Sequence, residues 1–269
     1  VKKIRPRSIL FENVPGFVNR YGLGLKSHLE SALTDMGYLF SSDVISASDY
    51  GVPQNRERFF LIGIHSDYTS EAPQFPVPTW DENERGRLLT TKKVIGDLNS
   101  YSKWGGYGTG EIHGPSKYTK KARSLFAKEM RRESDKVGFT WNTRIPKHGD
   151  IVSRRMRKIQ LGETKEDWIG TELETTKHSQ SPLRENSFEN ITILSTPDDF
   201  VHYDEKLPRT LSVRECARFQ TFPDHFHFYG KRTTGGERRA TDVPQYTQVA
   251  NAIPPRLAKI MADQLTKVL

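Results

Sequence analysis

Cysteine is almost absent from this sequence, in which Cys216 is the single example among 269 residues. One cysteine cannot form a disulfide within its own chain, and no Cys or His residues have the spacing of a zinc site. His225 and His227 lie two positions apart but have no companion ligands nearby in the sequence. We therefore expect a reducing compartment and no bound metal.

Long apolar runs are also missing. No stretch approaches the roughly 20 apolar residues that a membrane-spanning helix needs. The first residues, VKKIRPRSIL, lack the apolar core of a secretory signal. These absences favour a cytoplasmic protein with no membrane partner.

Apolar residues in general are scarce, at 35% of the chain against 28% charged residues. Aromatic residues nevertheless make up 10%, which is too many for a disordered protein. The length exceeds the size at which a single core usually stops growing. We expect a folded protein with one large or two modest domains.

The positive charge is concentrated in the middle of the chain. Residues 101–160 contain fifteen Lys and Arg against five Asp and Glu, a net charge of +10, whereas residues 1–100 are neutral. A basic segment suits an anionic partner such as nucleic acid. A solvated basic surface has the same composition, so charge alone leaves both interpretations open.

The first 65 residues have the pattern of an α/β sheet fragment. An apolar run over residues 8–11 predicts a strand that stops at Glu12 and Asn13. Apolar residues recur at helical spacing over residues 25–36, and Gly37 follows as a helix C-cap. Two further strands are predicted, over residues 38–45 and 59–64.

The periodicity fades between His65 and about Leu207, a segment too long to be a connecting loop. We predict a separate, irregular domain there. The glycine cluster GGYGTG at residues 105–110 resembles a nucleotide-binding loop, but no strand precedes it and no amphipathic helix follows. We therefore interpret it as an ordinary loop.

Two helices are predicted near the end of the chain. Ser212 and Glu215 have capping-box spacing, which predicts a helix from Ser212 to about Phe222, before Pro223. The last helix carries its prolines, Pro254 and Pro255, in the first turn. Its apolar stripe should dock on a sheet and comprises Leu257, Ile260, Met261 and Leu265.

Several polar residues stand at positions suited to a site. Glu12 follows an apolar strand directly, where catalytic carboxylates of α/β sheets occur, although solvated or capping carboxylates are equally common there. Gln54, Arg56 and Arg58 alternate, which on an extended segment puts their side chains on one face. Such a row suits phosphate or carbonyl oxygens, whereas the competing interpretation is an edge strand with solvated arginines.

The stretch RTLSVRECARFQTFPD at residues 209–224 has charges spaced to bridge neighbouring elements, namely Arg209, Arg214, Glu215 and Arg218. We interpret these charges as structural. A lone cysteine on a helix is far more often a small core residue than a nucleophile, and we interpret Cys216 in that way.

The order of these motifs, FENV, QNRERFFLIG, a long variable segment, RTLSVRECARFQTFPD and QVANAIPP, resembles the DNA cytosine-5 methyltransferase family. The resemblance covers the two ends of the chain. It implies an α/β fold, with the C-terminal part of a Rossmann-like, S-adenosyl-L-methionine-dependent domain plus a smaller, irregular target recognition domain. The implied segments are residues 1–65 (catalytic strands), 66–206 (recognition of duplex DNA), 207–239 (connecting motif helix) and 240–269 (cofactor-side motif and docking helix).

The resemblance also implies roles for individual residues. Glu12 would hold and protonate the cytosine ring at N3, with Asn13 supporting that site, because a proton at N3 stabilises the charge that builds up in the ring. Arg58 would bind the cytosine O2, with Arg56 and Gln54 organising the pocket into which the base is flipped.

The cofactor S-adenosyl-L-methionine would be met by Asn251, Ala252 and Ile253. Ala250 stands where the family usually has Gly. DNA contacts are assigned to a set of polar and basic residues in and beside the variable segment. They are Gln54, Lys120, Lys121, Arg154, Arg155 and Arg209.

The family's cofactor-binding glycine motif and its Pro-Cys nucleophile are not found in the sequence, which opens with Val1. We expect a partial chain of a restriction-modification enzyme, inactive alone, whose N-terminal catalytic half belongs to the same gene or to a separate subunit. The alternative is a DNA-binding module, either the C-terminal subunit of a split methyltransferase or a non-catalytic remnant. An endonuclease or a structural chromatin protein would have to explain the ordered motifs by chance.

Overall fold

The structure is a computed structural model in which two compact units are distinguished. The first unit contains residues 1–81 and 254–269, and the second contains residues 82–253. The GGYGTG cluster lies outside the described residues. Those are residues 1–19, 24–98, 115–145, 148–176, 181–188, 191–195, 200–206, 208–233 and 242–268.

The first unit is built on a sheet of three strands: β1 (Ser8–Asn13), β2 (Tyr38–Ser46) and β3 (Glu57–His65). The order is β1-β3-β2, and β3 is antiparallel to both neighbours. A short turn of helix α1 (Gly16–Asn19) and helix α2 (Leu25–Asp35) connect β1 to β2. The predicted order of strand, helix, strand and strand is confirmed.

Both faces of this sheet are covered by a helix. On one face, Leu33 of α2 packs with Phe59 and Leu61. On the other, Leu265 of helix α9 (Pro255–Thr266) packs with Ile62 and Ile64. Burial of each such side chain stabilises the fold by roughly 1.5–3 kcal/mol. Because β3 is covered on both faces, its residues form a nearly continuous apolar run.

Helix α9 has the predicted amphipathic stripe. Leu257, Met261 and Leu265 are buried, and Ile260 is half-buried. Pro255 is the first helical residue. Proline lacks a backbone N–H, and this costs nothing in the first turn because the N–H groups there have no acceptor within the helix. The predicted docking of this helix on the sheet is confirmed.

The described part of the second unit consists of short elements and irregular backbone. Its strands are two residues long and form two small sheets, β4 antiparallel to β5 and β6 parallel to β7. The elements are α3 (Glu82–Leu88), α4 (Thr91–Ile95), β4 (Ser116–Lys117), α5 (Leu125–Arg131), β5 (Phe139–Thr140), α6 (Asp150–Gln160), β6 (Ser181–Pro182), β7 (Phe200–Val201), α7 (Val213–Phe219) and α8 (Gln245–Asn251).

Helix α6 anchors one core of this unit. Its buried residues Met156 and Ile159 pack against Trp168, Leu173 and Val201. These five residues come from a helix, the turn that follows it and a strand, so the packing holds irregular segments that have no extended hydrogen-bonded ladder of their own.

Helix α7 begins as the sequence predicts and ends earlier. Ser212 Oγ accepts a hydrogen bond from the Glu215 N–H at 3.2 Å, and the Glu215 carboxylate accepts one from the Ser212 N–H at 2.7 Å. The helix ends at Phe219 rather than near Phe222. The reason is Thr221, whose φ of 62° is left-handed and incompatible with a continuing helix.

The two compact units do not follow the boundaries drawn from the motifs. The first unit reaches Asp81, and residues 207–253 belong by packing to the second unit. The boundaries at residues 65 and 206 are placed where motifs stop, whereas a compact unit contains the residues whose backbones lie close together in the fold. The functional roles of the four predicted segments stay predictions.

Candidate active site

Glu12 and Arg58 form an ion pair at the edge of the first unit's sheet. The register pairs Glu12 with Phe60, and Arg58 lies two residues from Phe60 on the same face. Arg58 Nε is 3.2 Å from Glu12 Oε1. The side chains keep 21% (Glu12) and 16% (Arg58) of their surface exposed, so a ligand from solvent can reach both.

Burial and neighbouring charges shift the pKa of both residues in this pair. Burial raises the pKa of Glu12, and the charges of Arg58 and Arg56 oppose that shift without cancelling it. Burial lowers the pKa of Arg58 and lowers that of Arg56 to about 10. A carboxyl group whose pKa is raised holds a proton more readily, which suits a proton donor.

Arg56 and Gln54 lie before β3, in a bend that follows Gly51. β3 begins at Glu57, so of the predicted row of Gln54, Arg56 and Arg58 the strand itself contains Arg58, and the other two residues precede it. Gly51 has a left-handed φ of 77°, and the chain turns there.

Both side chains lie inside the protein. Gln54 and Arg56 are buried, and the Arg56 carbonyl accepts a hydrogen bond from the Ala47 N–H at 2.9 Å. Arg56 acts on the Glu12–Arg58 pair electrostatically from within the protein. Gln54, which was assigned to DNA, is enclosed by the protein.

Asn13 ends β1 and lies on the opposite face of the sheet from Glu12, since neighbouring strand residues alternate. Its Oδ1 accepts a hydrogen bond from the Val14 N–H at 2.8 Å. Asn13 therefore shapes the backbone where the chain leaves the strand beside Glu12. The Asn13 side chain thus contributes to the site by fixing this backbone.

The predicted cofactor residues lie at the end of α8. Asn251 is the last residue of the helix and is exposed, and Ala252 is extended, with φ −70° and ψ 151°. Gln220 Nε2 donates to the Val249 carbonyl at 2.7 Å and to the Ala252 carbonyl at 3.3 Å. These hydrogen bonds of Gln220 stabilise the turn that carries Asn251. The sequence did not predict this role of Gln220.

Ala250 fits its position without strain. It is helical and buried within α8, where alanine is favoured over glycine by about 1 kcal/mol. The departure from the usual glycine therefore leaves the local backbone intact. The exposed side-chain amide of Asn251 offers a donor and an acceptor that suit a polar ligand such as S-adenosyl-L-methionine.

Arg209 was assigned to DNA, but its side chain is engaged within the protein. Two of its nitrogens donate to the Glu215 carboxylate at 2.7 and 2.6 Å, and one also donates to the Thr210 carbonyl at 2.9 Å. It is buried. Arg209 is therefore a structural residue, as its motif suggested, and does not belong to the DNA surface that we propose.

The two arginines assigned to DNA on α6 differ in exposure. Arg154 is exposed and pairs with the Glu172 carboxylate. Arg155 is half-buried and donates to the carbonyls of Leu173 at 2.8 Å and Glu174 at 2.6 Å. Arg154 therefore has a partner at the surface, whereas Arg155 is bound to the backbone of the segment that follows α6.

Lys120 and Lys121 lie before α5 and are exposed. Lys120 Nζ is 3.4 Å from the Gly96 carbonyl, a distance at the limit of a hydrogen bond. Both ammonium groups are therefore presented to solvent. Together with Arg154 they are the cations of the predicted DNA set that the structure leaves at the surface.

A buried charge network holds the second unit together. Arg218 pairs with Asp224 at 2.5 Å and with Asp97 at 3.1 Å. Tyr118 Oη donates to Asp224 Oδ2 at 2.5 Å, and Arg131 reaches Asp97 at 3.4 Å. The sequence predicted that Arg218 bridges elements, but its partner Asp97 is distant in the chain and carried no signal.

Cys216 lies in α7 and is 5% exposed. The structure confirms that it packs as a core residue of the second unit.

Within the described ranges, no helix is both long and apolar enough to cross a membrane. The same ranges contain no group of three or more His, Cys, Asp or Glu side chains placed to hold a metal ion.

Comparisons with known proteins agree with the motif order. The C-5 cytosine-specific DNA methylase family model matches residues 1–267. The chain is 31% identical over 277 aligned positions to Type II methyltransferase M.MthTI of Methanothermobacter thermautotrophicus, and 28% identical over 295 to M.Bpa9945I of Bacillus paralicheniformis. All of this chain is covered in both alignments, and it spans 68% and 62% of the lengths of these relatives.

A solved structure has a similar fold. A protein of an E. coli prophage, described as a DNA modification methyltransferase, matches with a TM-score of 0.72 and 20% sequence identity. The match covers 100% of this chain and 71% of the other. This likeness confirms the predicted α/β fold class.

Proposed function

Because the chain belongs to the C-5 cytosine-specific DNA methylase family, we propose that it forms the base-binding and DNA-recognition part of an enzyme that methylates cytosine C5 in duplex DNA. Enzymes of this family take the methyl group from S-adenosyl-L-methionine. The observation that carries the proposal is the solvent-accessible Glu12–Arg58 pair on one face of the sheet.

Glu12 is proposed as the group that protonates cytosine N3. Attack at C6 pushes electrons into the ring, and a proton donated at N3 stabilises that charge. The raised pKa of Glu12 favours its protonated form, the state that can donate. Burial sets this direction, and the charges of Arg58 and Arg56 oppose it.

Arg58 is proposed to hold the cytosine O2. Its Nη1 donates to the Glu57 carbonyl at 2.6 Å, which fixes the guanidinium relative to β3. Its Nε faces Glu12, so one side chain orients the carboxyl group and offers charged donors to the base. Flipping cytosine out of a duplex costs a few kcal/mol, and such a polar pocket offsets part of that cost.

Asn251, Ala252 and Ile253 are proposed to form one wall of the S-adenosyl-L-methionine site. When bound, the cofactor supplies an electrophilic methyl group. The Asn251 side-chain amide would hold polar atoms of the cofactor, and Ala252 and Ile253 would line the wall beside it. Gln220 would keep that turn in place through its contacts with the α8 carbonyls.

The attack on C6 requires a thiolate. Cys216 is buried in a helix of the second unit, so its thiol is poorly accessible to a substrate base. We therefore propose that a cysteine outside these 269 residues acts as the nucleophile, on the same polypeptide or on a separate subunit. The isolated 269-residue chain is then expected to transfer no methyl group.

The second unit is proposed to act as the target recognition domain. Its net positive charge is concentrated in residues 101–160, and Lys120, Lys121 and Arg154 are exposed. Cations at such positions bind phosphates irrespective of sequence, whereas base contacts determine the target. Since both relatives above are named type II methyltransferases, we propose a restriction-modification setting and a location with the chromosomal DNA of the cytoplasm.

The test is a methylation assay with labelled S-adenosyl-L-methionine and duplex DNA. The chain is measured alone and with the N-terminal third of M.MthTI supplied as a separate polypeptide, each with and without Cys216→Ser. We expect activity only with the added segment and no dependence on Cys216. Activity of the chain alone that is lost in Cys216→Ser would refute the proposal for the nucleophile.

The same assay separates the enzyme from the binding module. If the added segment forms a stable complex and the complex binds duplex DNA without methylating it, the non-catalytic alternative is favoured. A Glu12→Gln complex serves as the matched inactive control, because it retains the size and polarity of the side chain.

A further inference from the structure

Two irregular segments of the second unit, residues 141–145 and 226–232, run side by side. Trp141 stacks on His227, with ring centroids 4.5 Å apart and an interplanar angle of 15°. His227 in turn contacts Tyr229, with centroids 4.2 Å apart. These three rings form a column, which we call the aromatic platform. Neither the proposed base pocket nor the proposed cofactor wall uses it.

The backbone beneath the platform is held rigidly by side chains. Asn142 Nδ2 donates to the Phe228 carbonyl at 2.8 Å, and the Phe228 N–H donates back to Asn142 Oδ1 at 3.0 Å. Arg214 joins the two segments by donating to carbonyls of both. The carbonyls of residues 226–230 held in this way are those of Phe226 (by Arg214), Phe228 (by Asn142), Tyr229 (by Gln248) and Gly230 (by Gln245).

Asn142 adopts a left-handed conformation, with φ 62°. A non-glycine residue pays conformational energy in this region, and such residues persist only where their surroundings hold them. The two hydrogen bonds with Phe228 supply that restraint. The surrounding structure therefore holds the two segments in this alignment.

The outer end of the platform is open to solvent. Tyr229 is 66% exposed, and neighbouring Phe226 is 44% exposed. An aromatic ring that is exposed on a rigid backbone offers a flat surface with little conformational entropy left to lose on binding. Such rings are the usual stacking surfaces for nucleobases.

Two arginines lie further along the same pair of segments. Arg232 Nη1 donates to the Ile145 carbonyl at 3.2 Å. Its Nε is buried and has no hydrogen-bond partner within the described part of the chain. Burial and the nearby charge of Arg144 both lower the pKa of Arg232. Two arginines with like charges near each other form a site that an oxyanion such as a phosphate would stabilise.

We propose that the aromatic platform and the Arg144–Arg232 pair together bind one nucleotide of the DNA substrate. The Tyr229 ring stacks on a base that is not stacked within the duplex, and the arginines hold a phosphate. This inference rests on the proposed function, since it takes DNA as the ligand. It adds a second base-contacting surface, which compensates for stacking that the duplex loses when a cytosine is flipped.

The test compares two labelled duplexes that differ at one place: one is fully paired, and the other has a two-base mismatch that leaves bases unstacked. Binding of the full 269-residue chain is measured by fluorescence anisotropy over a salt series. We expect the parental chain to bind the mismatched duplex about ten-fold more tightly, the range expected for one base–aromatic stack.

The variants separate the two parts of the platform. Tyr229→Ala should abolish the preference for the mismatched duplex, whereas Tyr229→Phe, which retains the ring, should keep it. Arg144→Gln should weaken binding of both duplexes equally and reduce the slope of log affinity against log salt by about one. Tyr68→Ala and Lys259→Gln, exposed positions in the first unit, are the matched controls and should change neither quantity.

The outcomes distinguish this inference from the proposed function. If the parental chain binds both duplexes equally, with salt dependence, the platform proposal fails and DNA recognition stands. If Tyr229→Ala retains the preference, the stacking role of Tyr229 is refuted. If the parental chain binds neither duplex at low salt while circular dichroism shows it folded, DNA recognition by this chain fails, and the platform proposal fails with it.

Discussion

The Glu12 carboxylate and the Arg58 guanidinium meet on one face of a sheet, with Oε1 and Nε 3.2 Å apart. The contact exists because β1 and β3 are antiparallel in a register that pairs Glu12 with Phe60. A shift of one residue would move Glu12 to the opposite face. The register of two strands therefore determines whether these residues can act on one base.

Glu12→Gln should reduce the single-turnover methylation rate of the reconstituted enzyme by about 100-fold or more, since loss of a general acid typically costs a factor of 10² to 10⁴. DNA affinity should change little, because the amide retains hydrogen-bonding groups. Glu71→Gln, at an exposed loop position, is the matched control. An unchanged rate in Glu12→Gln would show that this carboxyl group does not protonate the base.

Exposed cations of the second unit should determine the salt dependence of duplex binding. Removing two phosphate contacts in Lys120→Gln/Lys121→Gln should reduce the slope of log affinity against log salt by about two, and Arg154→Gln should reduce it by about one. Lys259→Gln on α9 is the control. Equal slopes for the parental chain and the double variant would exclude both lysines from the DNA surface.

The second unit should be destabilised strongly when its buried charge network is broken. Asp97→Ala leaves the buried Arg218 with an incomplete set of partners, a change that typically costs roughly 3–5 kcal/mol. The free energy of unfolding, from urea denaturation, is the measurement. Lys136→Ala, which breaks an exposed ion pair with Glu133, should lower the free energy of unfolding far less. Equal effects of the two substitutions would contradict a structural role of Asp97.

His202 should make the fold sensitive to acid. Burial lowers the pKa of His202 to about 4 from its ordinary value of 6.5, despite the opposing charge of Glu215. The unfolded chain therefore takes up a proton near pH 6.5 and the folded chain only near pH 4. The stability contributed by neutral His202 is complete above pH 6.5 and is lost as the pH falls towards 4, by up to about 3 kcal/mol.

This pH dependence is measured by urea unfolding of the parental chain and His202→Gln between pH 7 and pH 4. The variant should lose less stability over that interval, since glutamine does not titrate. The neutral ring also accepts a hydrogen bond from the Asp204 N–H at 3.0 Å, a contact that protonation removes. His225→Gln, at an exposed position, is the control. Parallel curves for the parental chain and His202→Gln would rule out this source of acid sensitivity.

Predictions from the sequence succeeded for features determined by neighbouring residues. The capping box of Ser212 and Glu215 and the left-handed Gly37 after α2 were both predicted and are both observed. These features depend on backbone conformation and hydrogen bonds within a few residues. The end of α7 was predicted three residues too late because Pro223 was taken as the stop, whereas the chain already turns at Thr221.

The candidate site was predicted in part. Motif order identified Glu12 and Arg58, and the structure brings them together. The alternation of Gln54, Arg56 and Arg58 suggested a strand face, but the bend after Gly51 buries the first two. Gln220 was missed, because its contacts with the turn before Ala252 come from folding and not from any local pattern.

The sequence by itself determined the class of strands and helices, the family and the residue types available for chemistry, because periodicity and motif order are properties of the linear chain. Only the tertiary structure decided which charges are available to a ligand. Arg209 and Arg154 are alike as residues, yet Arg209 is buried against Glu215 and Arg154 is exposed. The physical reason is that burial and ion pairing depend on partners that folding brings from distant positions, as Asp97 is brought to Arg218.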